Sequence, residues 1–352
     1  MNSNLLSSDL PHFRTDVLTE RRVIIAPGRS LRPTGFPPNN AVAAQADPFA
    51  EGRECETPNE VLAFRQPDSL PNQPGWSIRV VPNRFPAVVD ANAATVDDSA
   101  SVSKSGDEDA TSSLFPASAA FGRHEVVIEC PDFRTSLLQM SESEIAEIFR
   151  IWRDRLRTLV SEKRFQSLVV FRNEGASAGA SLAHCHSQII ATEELTVTDR
   201  RRLEIAEDYY QRIGKVLQED LLDAEIKERF RIVSQCDRLV ALCPFAPLTS
   251  HHVRLIPYSN RRQAFEDISD DDLQLIASRV RGVVKALSTE IHPGLSFNCV
   301  LINPPCLKTS DVPLPGWMME ILPRLSRRGG WEFASDTEIV TVFPELHFLT
   351  TG

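Results

Sequence analysis

The sequence lacks any apolar run near the roughly 20 residues that a membrane-spanning helix needs. Its first residues, MNSNLLSSDLPHFRTD, contain no basic segment followed by an apolar one, so we expect no signal peptide, no membrane contact and a cytoplasmic protein. It also lacks an excess of basic residues, because 48 acidic against 38 basic side chains give a net charge of -10. We therefore expect no nucleic-acid partner, and an anionic small substrate would need locally placed arginines.

No two cysteines have CxxC spacing, and their number is odd. The pattern therefore indicates neither a disulfide framework nor a compact thiolate zinc site. We expect most of these residues to be buried thiols. The seven are Cys55, Cys130, Cys185, Cys236, Cys243, Cys299 and Cys306.

The chain has 352 residues, of which 42% are hydrophobic and 24% charged, as in ordinary globular proteins. This length predicts two domains or one duplicated fold. Residues 90–121 are rich in Ala, Ser and Asp and have almost no large apolar side chains. Because such a segment cannot repay its ordering entropy, we predict a flexible insertion there.

One structural unit can be read between residues 141 and 192. Ser141 and Glu144 have capping-box spacing, and apolar residues then recur at helical intervals up to Leu159. A strand ending at Asn173 follows, and then a Gly- and Ser-rich turn and a second strand, SLAHCHSQIIAT.

A second unit with the same order begins at Ser269. A helix capped by Ser269 and Asp272 precedes a strand ending at Asn303, and the strand GWMMEILPRL follows. Aligning Gln188 with Glu320 superimposes the two units, which predicts a duplicated α+β fold. We place the halves at residues 1–195 and 196–352, with the histidines kept only in the first.

The chemistry-bearing residues lie on the second strand of the first unit. Side chains alternate along a strand, so His184, His186 and Gln188 should share one face and Cys185 and Ser187 the other. The preceding turn, with Gly175 and Gly179, could bring backbone N–H groups close to a phosphate. An imidazole beside such a loop can attack phosphorus. Alternatively, an HxH pair can bind a structural metal or simply pair with polar neighbours.

The segment FRNEGASAGASLAHCHSQI resembles the active-site segment of the galactose-1-phosphate uridylyltransferase family, a branch of the histidine-triad superfamily. Other blocks resemble that family in the same order, namely TERRVIIAPGRSLRP, ETPNEVLAFR, WSIRVVPNRFPAV, GRHEVVIE and EILPRLSRRGGWEF. The resemblance implies two histidine-triad-like halves, each an antiparallel sheet with packed helices. It covers nearly the whole chain except residues 90–121.

The resemblance also implies roles for individual residues. His186 would be the nucleophile that takes up a nucleoside monophosphoryl group, and Gln188 would hold the phosphoryl oxygens. A glutamine there cannot act as a general acid or base, which favours transfer to another phosphate over transfer to water. The other implied ligands of the nucleotide and sugar are Arg29, Arg32, Asn83, Asn173, Ser181, Trp331 and Glu332.

Related proteins commonly bind zinc, and the resemblance would place His124 and His184 in that site. Asp47 and Ala50 stand where the usual CxxC pair would lie, and structural zinc takes four protein ligands. Two alternatives follow: a zinc ion on an altered ligand set, or histidines that hydrogen-bond within a metal-free site. We expect no cofactor to be required. A separate pair, His251 and His252, is interpreted as exposed at the start of a strand.

These patterns predict a nucleotidyltransferase that moves a nucleoside monophosphate, UMP by family resemblance, between sugar 1-phosphates through a nucleotidyl-histidine. The expected ligands are a nucleotide-sugar and a sugar 1-phosphate or phosphate, and the family resemblance implies a homodimer. Two alternatives stay open: an adenylyltransferase of the ADP-glucose phosphorylase kind, and a nucleotide-binding protein that has lost catalysis.

Overall fold

The computed structural model describes residues 10–31, 47–91, 114, 117–258, 264–306, 312–313 and 315–345. Most of the predicted insertion at 90–121 lies outside the described residues. Arg32 also lies outside them. Thirteen strands and five α-helices are defined in these ranges. None of those helices is long and apolar enough to cross a membrane.

The strands are β1 (His12–Thr15), β2 (Arg22–Ile25), β3 (Leu62–Arg65), β4 (Trp76–Pro82), β5 (Gly122–Ile128), β6 (Ser167–Glu174), β7 (His186–Thr192), β8 (Ile232–Gln235), β9 (Leu239–Leu242), β10 (Val253–Pro257), β11 (Phe297–Ile302), β12 (Met318–Pro323) and β13 (Glu338–Val340). The helices are α1 (Glu142–Ser161), α2 (Val197–Ile213), α3 (Leu217–Glu228), α4 (Asp270–Glu290) and α5 (Gly330–Ser335).

Ten strands form one sheet in the order β3-β4-β5-β7-β6-β11-β12-β10-β9-β8, and every neighbouring pair is antiparallel. The first five strands, with α1 between β5 and β6, are called the first half. The last five, with α4 between β10 and β11, are called the second half. Each half uses its five strands in the same relative order, and β6 and β11 join the halves at the centre. The protein thus has an α+β fold built on an antiparallel sheet.

The two long helices begin where their sequences indicate. Ser141 accepts a hydrogen bond from the backbone of Glu144, whose side chain returns one to Ser141, and Ser269 and Asp272 make the same capping box. Both helices then place an apolar stripe on the sheet and against each other. This packing leaves the opposite face of the central strands for polar groups.

A separate three-stranded sheet joins the beginning and the end of the described chain. β1 pairs with β2, and β2 pairs in parallel with β13. Ion pairs join this region to the second half and to the end of the described chain: the side chain of Asp16 lies 2.7 Å from Arg254 of β10, and Arg14 donates to Glu345 at 2.8 Å. Residues 10–26 therefore pack beside the second half, while the division at 195 stays a sequence prediction.

Candidate active site

The candidate site lies at the start of β7, on the sheet face turned away from α1. Ser187 faces the helix, where its hydroxyl accepts a 2.8 Å hydrogen bond from the indole of Trp152. His186 and Gln188 therefore point to the opposite face. The predicted strand begins five residues later than the pattern SLAHCHSQIIAT indicates, because residues 179–185 form a turn that delivers His184 and His186.

The ring of His186 is oriented by a backbone group two residues earlier in the chain. Its Nδ1 lies 2.8 Å from the carbonyl oxygen of His184, and a carbonyl only accepts, so Nδ1 carries the proton. The lone pair of the neutral ring is then on Nε2. Burial, reinforced by the charge of Arg172, lowers the pKa of His186 despite the opposing effect of the carbonyl hydrogen bond. The ring is thus kept neutral, the state in which it can act as a nucleophile.

The loop before β7 brings small residues and a polar amide together. Gly175 and Gly179 flank a short 3-10 turn and both have positive φ, 82° and 88°. Asn298 of β11 lies opposite Asn173, and its Nδ2 donates to the Asn173 Oδ1 and to the carbonyl of Ala178, each at 2.8 Å. With its oxygen occupied, Asn173 offers its NH2 group to a ligand. Asn298 was missed in the sequence because only the pairing of the two halves brings it here.

Gln188 sits in a second polar group with His124 and Asn83. Its Oε1 is 2.8 Å from Nε2 of His124 and 3.4 Å from Nδ2 of Asn83. The backbone N–H of Ala87 donates to Nδ1 of His124 at 3.0 Å. These contacts place the predicted residue Asn83 directly beside Gln188.

An apolar cluster packs beside the histidines. It contains Phe49, Trp76, Val81, Val126 and Ile128, with Leu182 packed against it. The ring of Phe49 meets both His184 and His186 edge-on, at centroid distances of 6.0 and 5.4 Å. This cluster supplies the dry, low-dielectric wall that a flat ligand or a reacting phosphoryl group would need.

For the remaining predicted residues within the described chain, no contact with His186 is found. Arg29 is exposed on the 3-10 turn Pro27–Leu31 after β2, and Ser181 is exposed in the turn before β7. Trp331 is 49% exposed on α5, where Oε2 of Glu332 accepts from the backbone of Gly329 at 2.9 Å. Among the contacts found for these residues none reaches His186, so their roles stay predictions.

The zinc site suggested by the resemblance does not fit these residues. Nδ1 of His184 is 2.7 Å from Asp47 and its Nε2 is 2.9 Å from the carbonyl oxygen of Cys130, so both nitrogens already face oxygen atoms. The rings of Phe49 and Phe133 pack on the same imidazole. Within the described ranges, no cluster of three or more His, Cys, Asp or Glu residues could hold a metal ion.

The pairing of His124 with His184 in one metal site is wrong. His124 lies opposite Ile190 on the β5–β7 ladder, six residues along the chain from His184. At about 3.3 Å per residue, the strand from His186 to Ile190 alone already separates these positions by roughly 13 Å, and His184 lies beyond the start of that strand. His124 instead belongs to the Gln188 group, whereas the backbone N–H of Ala50 donates to the carbonyl oxygen of Asp47, beside His184.

Chelation is therefore expected to leave the protein unaffected. Treatment with EDTA should change neither the melting temperature nor activity, because the Asp47–His184 hydrogen bond supports His184 without a metal ion. Metal analysis by mass spectrometry and a thermal melt provide the measurements. One zinc ion per chain whose removal lowers the melting temperature would contradict this expectation.

Gly175 is expected to tolerate no side chain. Its φ of 82° favours glycine, and a Cβ would collide with the side chain of Ser296. Gly175→Ala should cost roughly 1–3 kcal/mol of unfolding free energy and weaken ligand binding by displacing the loop. Chemical denaturation measures the change. Gly282→Ala, in the open middle of α4, is the matched control and should be slightly stabilising. Equal behaviour of the two variants would refute the argument.

The second half contains a buried counterpart of the Gln188 group. Gln188 pairs with Val126, two residues after His124, and Glu320 pairs with Arg254, two residues after His252. His252 and Glu320 therefore occupy the register positions of His124 and Gln188, and their side chains meet at 2.5 Å. The expectation that His252 is exposed was wrong: it is 1% exposed, because the sheet and Glu320 enclose it.

Comparison with known proteins identifies the relatives of this chain. Residues 4–196 match the family described as "Galactose-1-phosphate uridyl transferase, N-terminal domain". ADP-glucose phosphorylase of Arabidopsis thaliana is 31% identical over 345 residues, covering 95% of this chain and 90% of the relative. Galactose-1-phosphate uridylyltransferase of Haemophilus influenzae is 26% identical over 273 residues, with coverages of 77% and 72%.

The fold agrees with these sequence matches. The crystal structure of an ADP-glucose phosphorylase from Arabidopsis thaliana with bound ADP-glucose superimposes with a TM-score of 0.76, at 28% identity and 96% coverage of both chains. The sequence match and this structural similarity both extend over the candidate site. The chain therefore belongs to the galactose-1-phosphate uridylyltransferase family and is a nucleotidyltransferase of that family.

Proposed function

We propose that the protein transfers a nucleoside monophosphate from a nucleotide-sugar to a phosphate acceptor through a covalent bond to Nε2 of His186. The observation that carries this proposal is the 2.8 Å hydrogen bond from Nδ1 of His186 to the His184 carbonyl. It leaves the lone pair on Nε2 of a neutral, buried ring. The ring of Phe49 in the apolar cluster packs against it, and the loop bounded by Gly175 and Gly179 follows the neighbouring strand β6.

The reaction proceeds in two displacements. Nε2 attacks the α-phosphorus, an N–P bond forms, and the bond from phosphorus to the bridging oxygen breaks to release sugar 1-phosphate. An oxygen of the acceptor phosphate then attacks the same phosphorus, and the N–P bond breaks to restore neutral His186. The Nδ1–H bond to the His184 carbonyl stabilises the positive charge that develops on the ring while the N–P bond exists.

The donors around His186 fit this chemistry. Gln188 and Asn173 both have their amide oxygens occupied by protein donors, so each presents an NH2 group to phosphoryl oxygens. Ser181 would add a hydroxyl from the turn before β7. Because the Gln188 amide neither gives nor takes a proton, it assists transfer between phosphates without activating water.

The charged and sugar-facing positions are proposed from the resemblance alone. Arg29 and Arg32 would supply the fixed positive charge that an acidic protein otherwise lacks around a diphosphate. Asn83 would lie in the nucleoside pocket, consistent with its contact to Gln188. Trp331 and Glu332 would face the sugar.

Adenylyl transfer to inorganic phosphate is the first candidate reaction, with ADP-glucose as donor. It is supported by the 31% identity to an ADP-glucose phosphorylase over 95% of this chain. The second candidate is UMP transfer between sugar 1-phosphates, supported by the family match and by the Haemophilus influenzae relative. Both use the same nucleotidyl-histidine and differ in the base and the acceptor.

The test is covalent labelling of the protein with ADP-glucose or UDP-glucose carrying 32P in the α-phosphate. Label that is stable to alkali and lost in acid indicates a phosphoramidate on histidine, and the better donor identifies the base. Chasing the labelled protein with phosphate or galactose 1-phosphate then identifies the acceptor. Absence of label from both donors would refute the mechanism and favour a protein that only binds nucleotides.

We also propose that the two halves arose by duplication and that the protein acts as a homodimer. The duplication is supported by the shared strand order and by the equivalent positions of the His124–Gln188 and His252–Glu320 pairs. The homodimer is supported by the family resemblance. In a homodimer, residues such as Trp331 would lie near the active site of the partner subunit. The contacts found for Trp331 do not reach His186 of its own chain.

A further inference from the structure

We infer that His124 is a positioning residue that holds the side-chain amide of Gln188 with its NH2 group directed to the phosphoryl site. This inference rests on the proposed function, in which Gln188 donates to the phosphoryl oxygens. In this inference His124 acts on the reaction by orienting Gln188. The resemblance had suggested a metal-binding role for His124 instead. The inference rests on three hydrogen bonds. The direction of each can be worked out from a backbone N–H group, which can only donate.

The first hydrogen bond fixes the tautomer of His124. A backbone N–H can only donate, and that of Ala87 points to Nδ1 of His124 at 3.0 Å. Nδ1 must therefore be the unprotonated nitrogen, and the neutral ring carries its hydrogen on Nε2. His124 is thus a hydrogen-bond donor through Nε2 alone.

The second hydrogen bond transmits this choice to Gln188. Nε2 of His124 lies 2.8 Å from Oε1 of Gln188, so the imidazole donates and the amide oxygen accepts. A glutamine whose amide was rotated by 180° would bring its NH2 group against the N–H of the imidazole, two donors with no acceptor between them. The observed orientation leaves both N–H bonds of Gln188 for a ligand.

The third hydrogen bond supports the same orientation from the other side. Oδ1 of Asn83 accepts from the backbone N–H of Phe85 at 2.8 Å, so Nδ2 of Asn83 is a donor. It lies 3.1 Å from Nε2 of His124 and 3.4 Å from Oε1 of Gln188. Because the Nε2 hydrogen of His124 is already directed to Gln188, the Asn83 hydrogen bond goes to the same amide oxygen.

The second half shows what the same position looks like without this function. Glu320 stands at the register position of Gln188, and its two oxygens accept from His252 and Arg254 at 2.5 and 2.8 Å. A carboxylate so paired has no N–H to offer a phosphate. The histidine is present in both halves, but only His124 faces a group that its hydrogen can orient as a donor.

The test is a double-mutant cycle on the rate of nucleotidyl-His186 formation in a single turnover. His124→Phe keeps the ring and removes the N–H, and we expect a loss of about 10- to 100-fold in that rate. In a Gln188→Ala background the same change should alter the rate by less than about 2-fold, because the group that His124 orients is gone. Independent, additive losses would overturn the inference.

Two further variants separate positioning from folding. His124→Gln places an NH2 group near the position of Nε2 and should restore the rate to within about 5-fold of the wild type. His292→Phe, at an exposed histidine beyond α4, should leave the rate unchanged. The inference would be overturned if His124→Gln lost as much of the rate as His124→Phe. It would also be overturned if the melting temperatures of both variants fell so far that unfolding accounts for the lost rate.

A spectroscopic measurement does not depend on activity. In 15N-histidine-labelled protein at neutral pH, the His124 ring should show a protonated Nε2 and an unprotonated Nδ1. The opposite tautomer would overturn the inference even if the enzyme is active. Correct tautomer and orientation with no covalent labelling of wild-type protein would instead refute the proposed function and leave the hydrogen-bond geometry intact.

Discussion

His186→Ala is expected to form no nucleotidyl-enzyme and to lose turnover by at least about 10⁴-fold. The methyl group has no lone pair to attack phosphorus, and a direct in-line transfer between two anionic phosphates would have to proceed without the covalent step. His186 is 6% exposed, so its truncation leaves a small cavity, but its hydrogen bond goes to a backbone carbonyl and the phosphate donors keep their own partners. The loss should therefore appear in the chemical step more than in nucleotide-sugar binding.

The measurement combines covalent labelling with steady-state turnover on the better of the two donors. Equilibrium binding of the nucleotide-sugar to His186→Ala should stay within about 10-fold of the wild type, because the phosphate donors remain in place. His292→Ala, at an exposed position, is the matched histidine control. Full turnover by His186→Ala would sink the covalent mechanism.

Arg254→Met is expected to cost about 3–5 kcal/mol of unfolding free energy. Arg254 is 3% exposed and donates to Glu320 at 2.8 Å and to Asp16 at 2.7 Å. Methionine removes the charge and leaves the buried carboxylates of Glu320 and Asp16 without their arginine. Because Asp16 follows β1, the loss should also loosen the small sheet from the second half.

The same network predicts an acid limit to stability. Burial alone would raise the pKa of Glu320, but the charges and hydrogen bonds of Arg254 and His252 lower it to about 2. A pKa that is lower in the folded state contributes stability above the unfolded value of about 4.5, and that contribution is lost as the pH falls towards 2. Removal of Arg254 should reduce this dependence on pH.

Urea denaturation at neutral pH and at several values below pH 5 measures both effects. Arg212→Met is the matched control, because Arg212 forms an ion pair with Asp208 in which both side chains are well exposed, and its loss should cost under about 1 kcal/mol. Equal losses in the two variants would show that the buried network contributes no more than a surface ion pair.

Local features of the fold could be predicted from the sequence because their causes are local. The capping boxes at Ser141 and Ser269 and the apolar stripes behind them depend on residues within a few positions of each other. The shared order of the two units was visible for the same reason. The strand β7 begins at His186 and not at Ser181, since the residues SLAHC continue the alternation of the strand although they lie in the turn before it.

The candidate site was predicted only in part. His186, Gln188 and the glycine loop belong to one contiguous segment, so strand alternation and family resemblance could group them. His124 was assigned to the wrong partner, because its distance from His184 depends on the β5–β7 register. His252 was taken for a surface residue, since its burial depends on the 10-stranded sheet and on Glu320, which is 68 residues away.

The sequence by itself determined the family, the segment that holds His186 and Gln188, and the repeated order of helices and strands. Each of these is written in adjacent residues, whose spacing alone fixes which side chains share a face. Only the tertiary structure decided that the amide oxygens of Gln188 and Asn173 accept hydrogen bonds from other protein groups. It also decided that the ring of His184 faces Asp47 and the carbonyl oxygen of Cys130. Those contacts join strands and loops distant in sequence, and hydrogen-bond direction follows from distances that no residue pattern contains.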